Sequence, residues 1–333
     1  MEKILEIDDL HVHFTTYGGT VQAVRGVSLY LNKGETLAIV GESGSGKSVT
    51  SNSIMQLIPS PPGKIVKGSI QFKGRDLVQT SKKEMRAIRG VDISMIFQDP
   101  MTALNPTLTV GDQLTEGLKQ HTSINTDSAK QKAIDMLRLV GIAEPESRFK
   151  QYPHQFSGGM RQRIVIAMAL ICEPDLLIAD EPTTALDVTI QAQIMELFSE
   201  IQEKTGVSII LVTHDLGVVA RVADRVAVMY GGKIVETGDK DAIFYNPQHP
   251  YTIGLLHSVP RLDMQEAVLQ PIDGTPPDLF APPQGCPFTA RCAHAMQVCA
   301  NVYPSATNLS ASHQVECWLQ DARATKAVNL MKR

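Results

Sequence analysis

Residues Gly41-Glu42-Ser43-Gly44-Ser45-Gly46-Lys47-Ser48 place three glycines, a lysine and a hydroxyl at the spacing G-x-x-x-x-G-K-[ST]. Glycines are required where a main chain must come within hydrogen-bond distance of oxygen anions. The Lys47 ammonium can then neutralise β and γ phosphates, and the Ser48 hydroxyl can hold Mg²⁺. Amides of the loop and of the helix that follows from Val49 would surround those phosphates. A second group is acidic: Asp180 and Glu181 stand directly after the apolar run Leu176-Leu177-Ile178-Ala179. The first carboxylate can hold Mg²⁺ through water, and the second can orient and polarise a water that attacks the γ-phosphate. Gln98 follows another apolar run, Ile93–Phe97, so its amide could reach the metal or the attacking water; His214 follows a third, Ser208–Val212, and could donate to the γ-phosphate. Each of these is an ordinary turn or cap residue when taken alone, and gains meaning from the set.

The elements that must position them can be read from hydrophobic patterning. Thr36–Val40 reads as a buried strand before the loop, and Val49–Leu57 as a helix after it. Ile4–Val12 and Val21–Leu31 alternate like strands of an antiparallel β start, around the turn-rich Thr15-Thr16-Tyr17-Gly18-Gly19. Phe14 and Tyr17 lie in that hairpin; either could stack on an adenine, an interaction worth about 1–3 kcal/mol, or could simply pack the edge of a β layer. Gly68–Leu77 continues the hairpin pattern. From Val110 to Val140 the period becomes helical, giving a small helical subdomain inserted into the α/β core. Phe156-Ser157-Gly158-Gly159-Met160 then opens a strongly apolar helix, so Ser157, Gly158 and Gly159 form a second anion-binding helix end. Pro182-Thr183-Thr184-Ala185-Leu186-Asp187 leads into a helix over Val188–Glu203.

With 333 residues and 43% apolar residues the chain can build a core of about two domains. A net charge of −4, from 31 Lys and Arg against 35 Asp and Glu, supplies no bulk positive field for nucleic acid or anionic lipid. No apolar run approaches the roughly 20 residues of a spanning helix, and Met1-Glu2-Lys3-Ile4 has no signal-peptide layout, so the expected place is the cytoplasm.

In order and spacing, the loop Gly41–Ser48, Gln98, Phe156–Met160, Leu176–Glu181, Ala185-Leu186-Asp187 and His214 resemble the nucleotide-binding subunits of ABC transporters, over about residues 4–250. The segment Met95–Pro106, Tyr152-Pro153-His154-Gln155 and Asn246–Thr252 are similar to the oligopeptide/dipeptide importer branch, and within it to the D-type ATP-binding subunit. Phe156 and Met160 depart from the commonest signature, Leu-Ser-Gly-Gly-Gln, while Ser157 and both glycines are kept. The resemblance implies an α/β fold: a P-loop NTPase core with a mainly parallel sheet, an N-terminal antiparallel β subdomain, a helical insert over about 100–160 and a loop-rich C-terminal appendix. It divides the chain into a nucleotide-binding domain (1–250) and an extension (251–333). It also implies ATPase activity that drives peptide uptake from the cytoplasmic face of the membrane. Two domains would close head to tail, each ATP held between the loop Gly41, Ser43, Gly44, Ser45, Gly46, Lys47, Ser48, Val49 of one and Ser157, Gly158, Gly159 and Asp187 of the other. Glu181, His214 and Gln98 would be catalytic, and Ser48, Gln98 and Asp180 would hold Mg²⁺. The implied partners are a second ATPase subunit, expected to be a sibling chain, two integral membrane permease subunits and an extracytoplasmic peptide-binding protein. The alternative, a soluble ABC ATPase acting on nucleic acid or ribosomes, fits poorly: 58 residues between Gln98 and Ser157 leave no room for a long coiled coil, and each motif occurs once.

After Tyr251 the prolines Pro271, Pro276, Pro277, Pro282 and Pro283 mark a looser tail that holds Cys286, Cys292, Cys299 and Cys317. Spacings of five, six and seventeen intervening residues fit no zinc finger, but four thiolates can satisfy a [4Fe–4S] cluster or tetrahedral Zn²⁺. Importer subunits have a similar Cys-Pro-x-x-x-Arg-Cys pattern, here Cys286–Cys292. That likeness implies an iron–sulfur cluster, ahead of Zn²⁺ and of four plain reduced thiols. Cys172, after an apolar helix, reads as a core residue.

Overall fold

The computed structural model describes residues 2–98, 103–184, 186–258 and 272–324. Asp99, Pro100, Met101 and Thr102 of the 95–106 motif, Ala185 and Pro271 lie outside the described residues. The chain forms two compact units: 1–5, 31–36 and 72–213 make one, and 6–30, 37–71 and 214–333 the other.

In the first unit three parallel strands, Ile93–Ile96, Leu176–Asp180 and Ser208–Thr213, pair in register, with Ile93 opposite Leu176 and Leu176 opposite Ser208. All five residues of Leu176–Asp180 are buried, as a parallel strand covered on both faces requires, and this is why its sequence shows an apolar run and no alternation. The helical insert comprises Val110–His121, Thr126–Leu139 and Gly158–Leu170, each capped by a hydroxyl or amide side chain: Thr109, Asn125 and Ser157 accept from Asp112, Ser128 and Met160 amides. Asn125 begins the second of these helices inside the polar stretch His121–Lys130, because an N-cap needs one good acceptor and the buried stripe Ala129, Ala133, Ile134, Leu137 follows at once. Val188–Thr205 is capped by Asp187 and ended by Gly206 at φ 71.

The second unit contains the body of the N-terminal hairpin, Lys3–Thr16 and Gly19–Asn32, with Gly63–Phe72 alongside the first strand. The two-residue turn Tyr17-Gly18 obliges the hairpin strands to run antiparallel. Thr36–Val40 pairs in parallel with Arg225–Tyr230, Leu37 opposite Arg225 and Val40 opposite Val228. Arg225–Tyr230 turns back into Lys233–Asp239 through Gly231 and Gly232, both at positive φ (55 and 81), the geometry a tight hairpin of the right twist demands. The tail continues this sheet. Gln314–Val315 pairs antiparallel with Thr237 and Glu236, and Thr307–Asn308 pairs with Gln314–Val315. Tail and sheet also share a core of Ala38, Val40, Val228, Tyr230, Tyr251, Cys286 and Phe288. Glu236, 1% exposed, anchors the junction by accepting from the Gln248 amide (2.7 Å), the His249 amide (3.0 Å) and His313 Nε2 (2.8 Å).

The expected architecture, an α/β core with an antiparallel N-terminal β subdomain and a helical insert, is therefore present.

Candidate nucleotide site

The loop Gly41–Gly46 is shaped by contacts that leave no room for side chains. A Cβ on Gly41 (φ 149) would stand 2.1 Å from the Met229 carbonyl oxygen, and one on Gly46 (φ 104) 2.5 Å from the Ala23 carbonyl oxygen. Gly44 is different: at φ 76 it faces open space, as a main chain that receives a ligand must. Lys47 begins the helix Lys47–Ile54, and its buried Nζ donates to the carbonyls of Gly41 (2.8 Å) and Glu42 (3.0 Å), so the ammonium is held at the mouth of the loop. Ser45 Oγ is buried and has no hydrogen-bond partner among the described residues, a polar atom that an anion in the cradle would satisfy. Ser43 is exposed; Ser48 and Val49 are half-buried in the first turn. The buried face of this helix is Thr50, Ser51, Ser53 and Ile54, and the helix stops at Ile54. The expected apolar face to Leu57 is thus replaced by small hydroxyls, of which Thr50 and Ser53 bond back to the Gly46 and Val49 carbonyls.

Asp180 ends its strand 6% exposed, and Glu181 turns out of it at φ 47, a left-handed conformation that strains a residue with a Cβ. The Glu181 amide still donates to the Val212 carbonyl (2.8 Å), which fixes the turn to the neighbouring strand. Its carboxylate is oriented by two neutral donors that meet on Oε2: Gln98 Nε2 at 2.9 Å and Thr184 Oγ1 at 3.0 Å. Gln98 and Glu181, separated by 83 residues in sequence, are therefore brought together.

The Ser157 helix end is tied to the same turn. Gln162, fully buried one turn into the helix, donates to the Pro182 carbonyl at 2.5 Å, and a Cβ on Gly159 would meet Ile190 Cγ2 at 2.9 Å. Asp187 is exposed and caps its helix by accepting from the Ile190 amide at 3.0 Å. Ser157 and Gly158 are exposed, with Gly159 half-buried behind them. Phe156 is 3% exposed, under the Arg148 guanidinium (5.7 Å to the ring centre), so the departure from leucine fills a core position and leaves the exposed hydroxyl and glycines unchanged. Thr184 and Gln162 were missed by motif reasoning; nothing in their local sequence marks them, because their roles are set by tertiary contact.

His214 is exposed just beyond the strand Ser208–Thr213. Of the two hairpin aromatics, Phe14 is half-buried against Gly63, where a Cβ would stand 2.8 Å from its ring, while Tyr17 is wholly exposed. Only Tyr17 presents a ring face to solvent.

The four tail cysteines do not form the expected metal centre. Among the described residues, which include all four, no group of three or more His, Cys, Asp or Glu side chains is arranged to hold a metal ion. Cys286, Cys292, Cys299 and Cys317 line a cavity of about 20 Å³, room for about one water and not for a cluster. Burial pushes the Cys286 thiol up to about 11 and the Cys317 thiol up to about 12, and raises Cys292 as well. The arrangement thus supports neither the expected iron–sulfur cluster nor the Zn²⁺ alternative; Cys286, Cys292 and Cys299 pack as small apolar groups in the core that holds Phe288. Cys172 is half-buried.

The protonated thiols give a pH dependence of definite sign. Cys286 binds its proton more tightly folded than at its ordinary value of 9.0, so stability is complete below pH 9 and is lost as pH rises toward 11. Under reducing conditions, the thermal midpoint of the wild-type chain should fall more steeply from pH 9 to 11 than that of Cys286→Ser; parallel curves would show that burial of this thiol is not the cause.

Comparison with known proteins follows the same lines. The family description "ABC transporter" matches residues 24–184, and "Oligopeptide/dipeptide transporter, C-terminal region" matches residues 235–299. The chain is 70% identical to the dipeptide transport ATP-binding protein DppD of Bacillus subtilis over 98% of both chains. It is 60% identical to the oligopeptide transport ATP-binding protein OppD of the same organism, covering 97% of this chain and 91% of that one. Among solved structures it resembles the dimeric ATP-binding cassette MJ0796 in a post-hydrolysis state bound to ADP and Pi, with a TM-score of 0.63 and 27% identity over 71% of this chain and 98% of that one.

Proposed function

The chain belongs to the ABC transporter family, among the ATP-binding subunits of its oligopeptide and dipeptide importers, and on that footing we propose how its residues drive transport. It hydrolyses ATP to ADP and phosphate and couples this to uptake of di- or oligopeptides, as a peripheral subunit on the cytoplasmic face of the membrane. It works with membrane permease subunits and as one of a pair of ATP-binding domains; the second domain is a sibling chain, and an extracytoplasmic binding protein delivers the peptide. Residues 1–250 form the nucleotide-binding domain and 251–333 the extension.

Within one domain, the amides of Gly41 and Ser43–Gly46, Lys47 and the amides of Ser48 and Val49 take the phosphates, and Tyr17 stacks on the base. Ser48, Asp180 and Gln98 would hold Mg²⁺, which supplies charge neutralisation across the β and γ phosphates when bound. Glu181, oriented by Gln98 and Thr184, positions and polarises the attacking water. His214 donates to the γ-phosphate. Ser157, Gly158 and Gly159, with Asp187 beside them, act on the nucleotide of the facing domain, adding an anion-binding helix end that arrives only on closure.

The observation that carries this reading is the full-length likeness to a dipeptide transport ATP-binding protein, joined to a Gln98–Glu181–Thr184 arrangement that orients a carboxylate. Affinity purification of the tagged chain from membranes tests it: two integral membrane proteins should accompany the chain. Recovery of DNA or ribosomes without any membrane protein would contradict it.

A further inference from the structure

We propose that Arg291, in the cysteine-bearing C-terminal extension, is a positioning residue of the phosphate loop, acting through Glu42. Arg291 lies in the Cys286–Cys292 segment of the extension. Its guanidinium is 6% exposed and every donor nitrogen is engaged. Nη1 donates to the Glu42 carboxylate (2.8 Å) and to the Tyr230 hydroxyl (3.0 Å), Nη2 to the Ile272 carbonyl (2.9 Å) and Nε to the Asp273 carbonyl (2.8 Å). Two of these contacts fix the guanidinium to the extension's own backbone, so the charge it offers to Glu42 is preorganised.

Glu42 is the second residue of the loop and the one through which the loop is held. Its side chain is paired with Arg291, its amide donates to the Tyr251 hydroxyl (2.8 Å), and its carbonyl accepts from Lys47 Nζ (3.0 Å) and the Ser45 amide (3.2 Å). Tyr230, Tyr251 and Phe288 pack against one another behind it, with ring centres 4.4 to 5.4 Å apart. A chain of contacts thus runs from the extension through Arg291 and the Glu42 main chain to the ammonium that takes the phosphates. Arg291 touches no nucleotide in this scheme. What it fixes is where Lys47 stands before ATP arrives, and a loop that must first be ordered binds its ligand more weakly.

The inference rests on the assignment of Gly41–Ser48 as the phosphate loop. Steady-state ATP hydrolysis by the full chain assembled with its permease subunits tests both. Arg291→Gln should raise KM for ATP about tenfold with kcat within about twofold of wild type, Glu42→Gln should do the same, and the double variant should be no worse than either. Arg291→Lys, which keeps the charge and loses part of the carbonyl anchoring, should fall between wild type and Arg291→Gln. An unchanged KM in Arg291→Gln or Glu42→Gln, or a double variant in which the two effects multiply, overturns the inference, whatever happens to the melting temperature. Should Arg291→Gln fail to assemble, Glu42→Gln and Arg291→Lys carry the same test. Lys47→Ala, run in parallel, separates the two claims: normal KM there would defeat the phosphate-loop assignment itself, whereas lost binding there with a normal Arg291→Gln defeats only the role of Arg291.

Discussion

Glu181→Gln in the assembled transporter is expected to lower ATP turnover at least about 10²-fold, the smaller end of what a positioned general base contributes, while ATP binding persists. The expectation follows from how the carboxylate is held. Gln98 and Thr184 both donate to Oε2 at 2.9 and 3.0 Å, and an amide oxygen can accept the same two hydrogen bonds. The substitution therefore keeps shape and orientation and removes the negative charge. Glu181 holds this carboxylate from left-handed backbone at φ 47, where asparagine or glycine would be easier, at the start of a turn closed by the Thr184 amide on its carbonyl (3.2 Å). With binding intact and hydrolysis blocked, the head-to-tail pair of domains should accumulate closed, detectable as a stable ATP-dependent dimer by size-exclusion chromatography. Turnover within about twofold of wild type would remove Glu181 from the chemistry.

Lys47→Ala is expected to fail one step earlier. The buried ammonium donates to the Gly41 and Glu42 carbonyls, so it sits at the loop mouth before any nucleotide arrives. A hydrogen bond to a charged partner contributes about 1.5–3 kcal/mol, so the loss should weaken ATP binding roughly 10- to 100-fold. Calorimetric titration of MgATP into the variant measures this directly. Wild-type affinity would mean that the phosphates bind elsewhere.

The elements that carry this candidate site are legible in the sequence where its parts are local. A glycine-rich loop after a buried strand, two carboxylates at a strand tip and Ser-Gly-Gly at a helix start each declare themselves within about ten residues, and each is found on the expected element. What stayed hidden depends on tertiary contact. Thr184 and Gln162 look like ordinary loop and helix residues, yet one orients Glu181 and the other ties the Ser157 helix to the turn after it. Arg291 is visible only as one letter of a cysteine pattern, although it reaches a residue 249 positions away. The cysteines themselves show the opposite error. Their count and spacing state how many sulfurs there are but not where they point, and among the described residues the side chains are not grouped to hold a metal ion, while Cys286, Cys292 and Cys299 pack into the core with Phe288 and Tyr251. The strands over Arg225–Asp239 carry no motif, yet they form the edge onto which the tail adds its own strands.

ATP hydrolysis by this chain powers peptide uptake. The most direct test is the accumulation of a radiolabelled dipeptide by the complete complex in proteoliposomes, with ATP supplied on the side of the ATP-binding subunits. Accumulation should require ATP and vanish when this chain carries Glu181→Gln; dipeptide accumulation that continues at the wild-type rate in that variant, or a complex that hydrolyses ATP and moves no peptide, would contradict it.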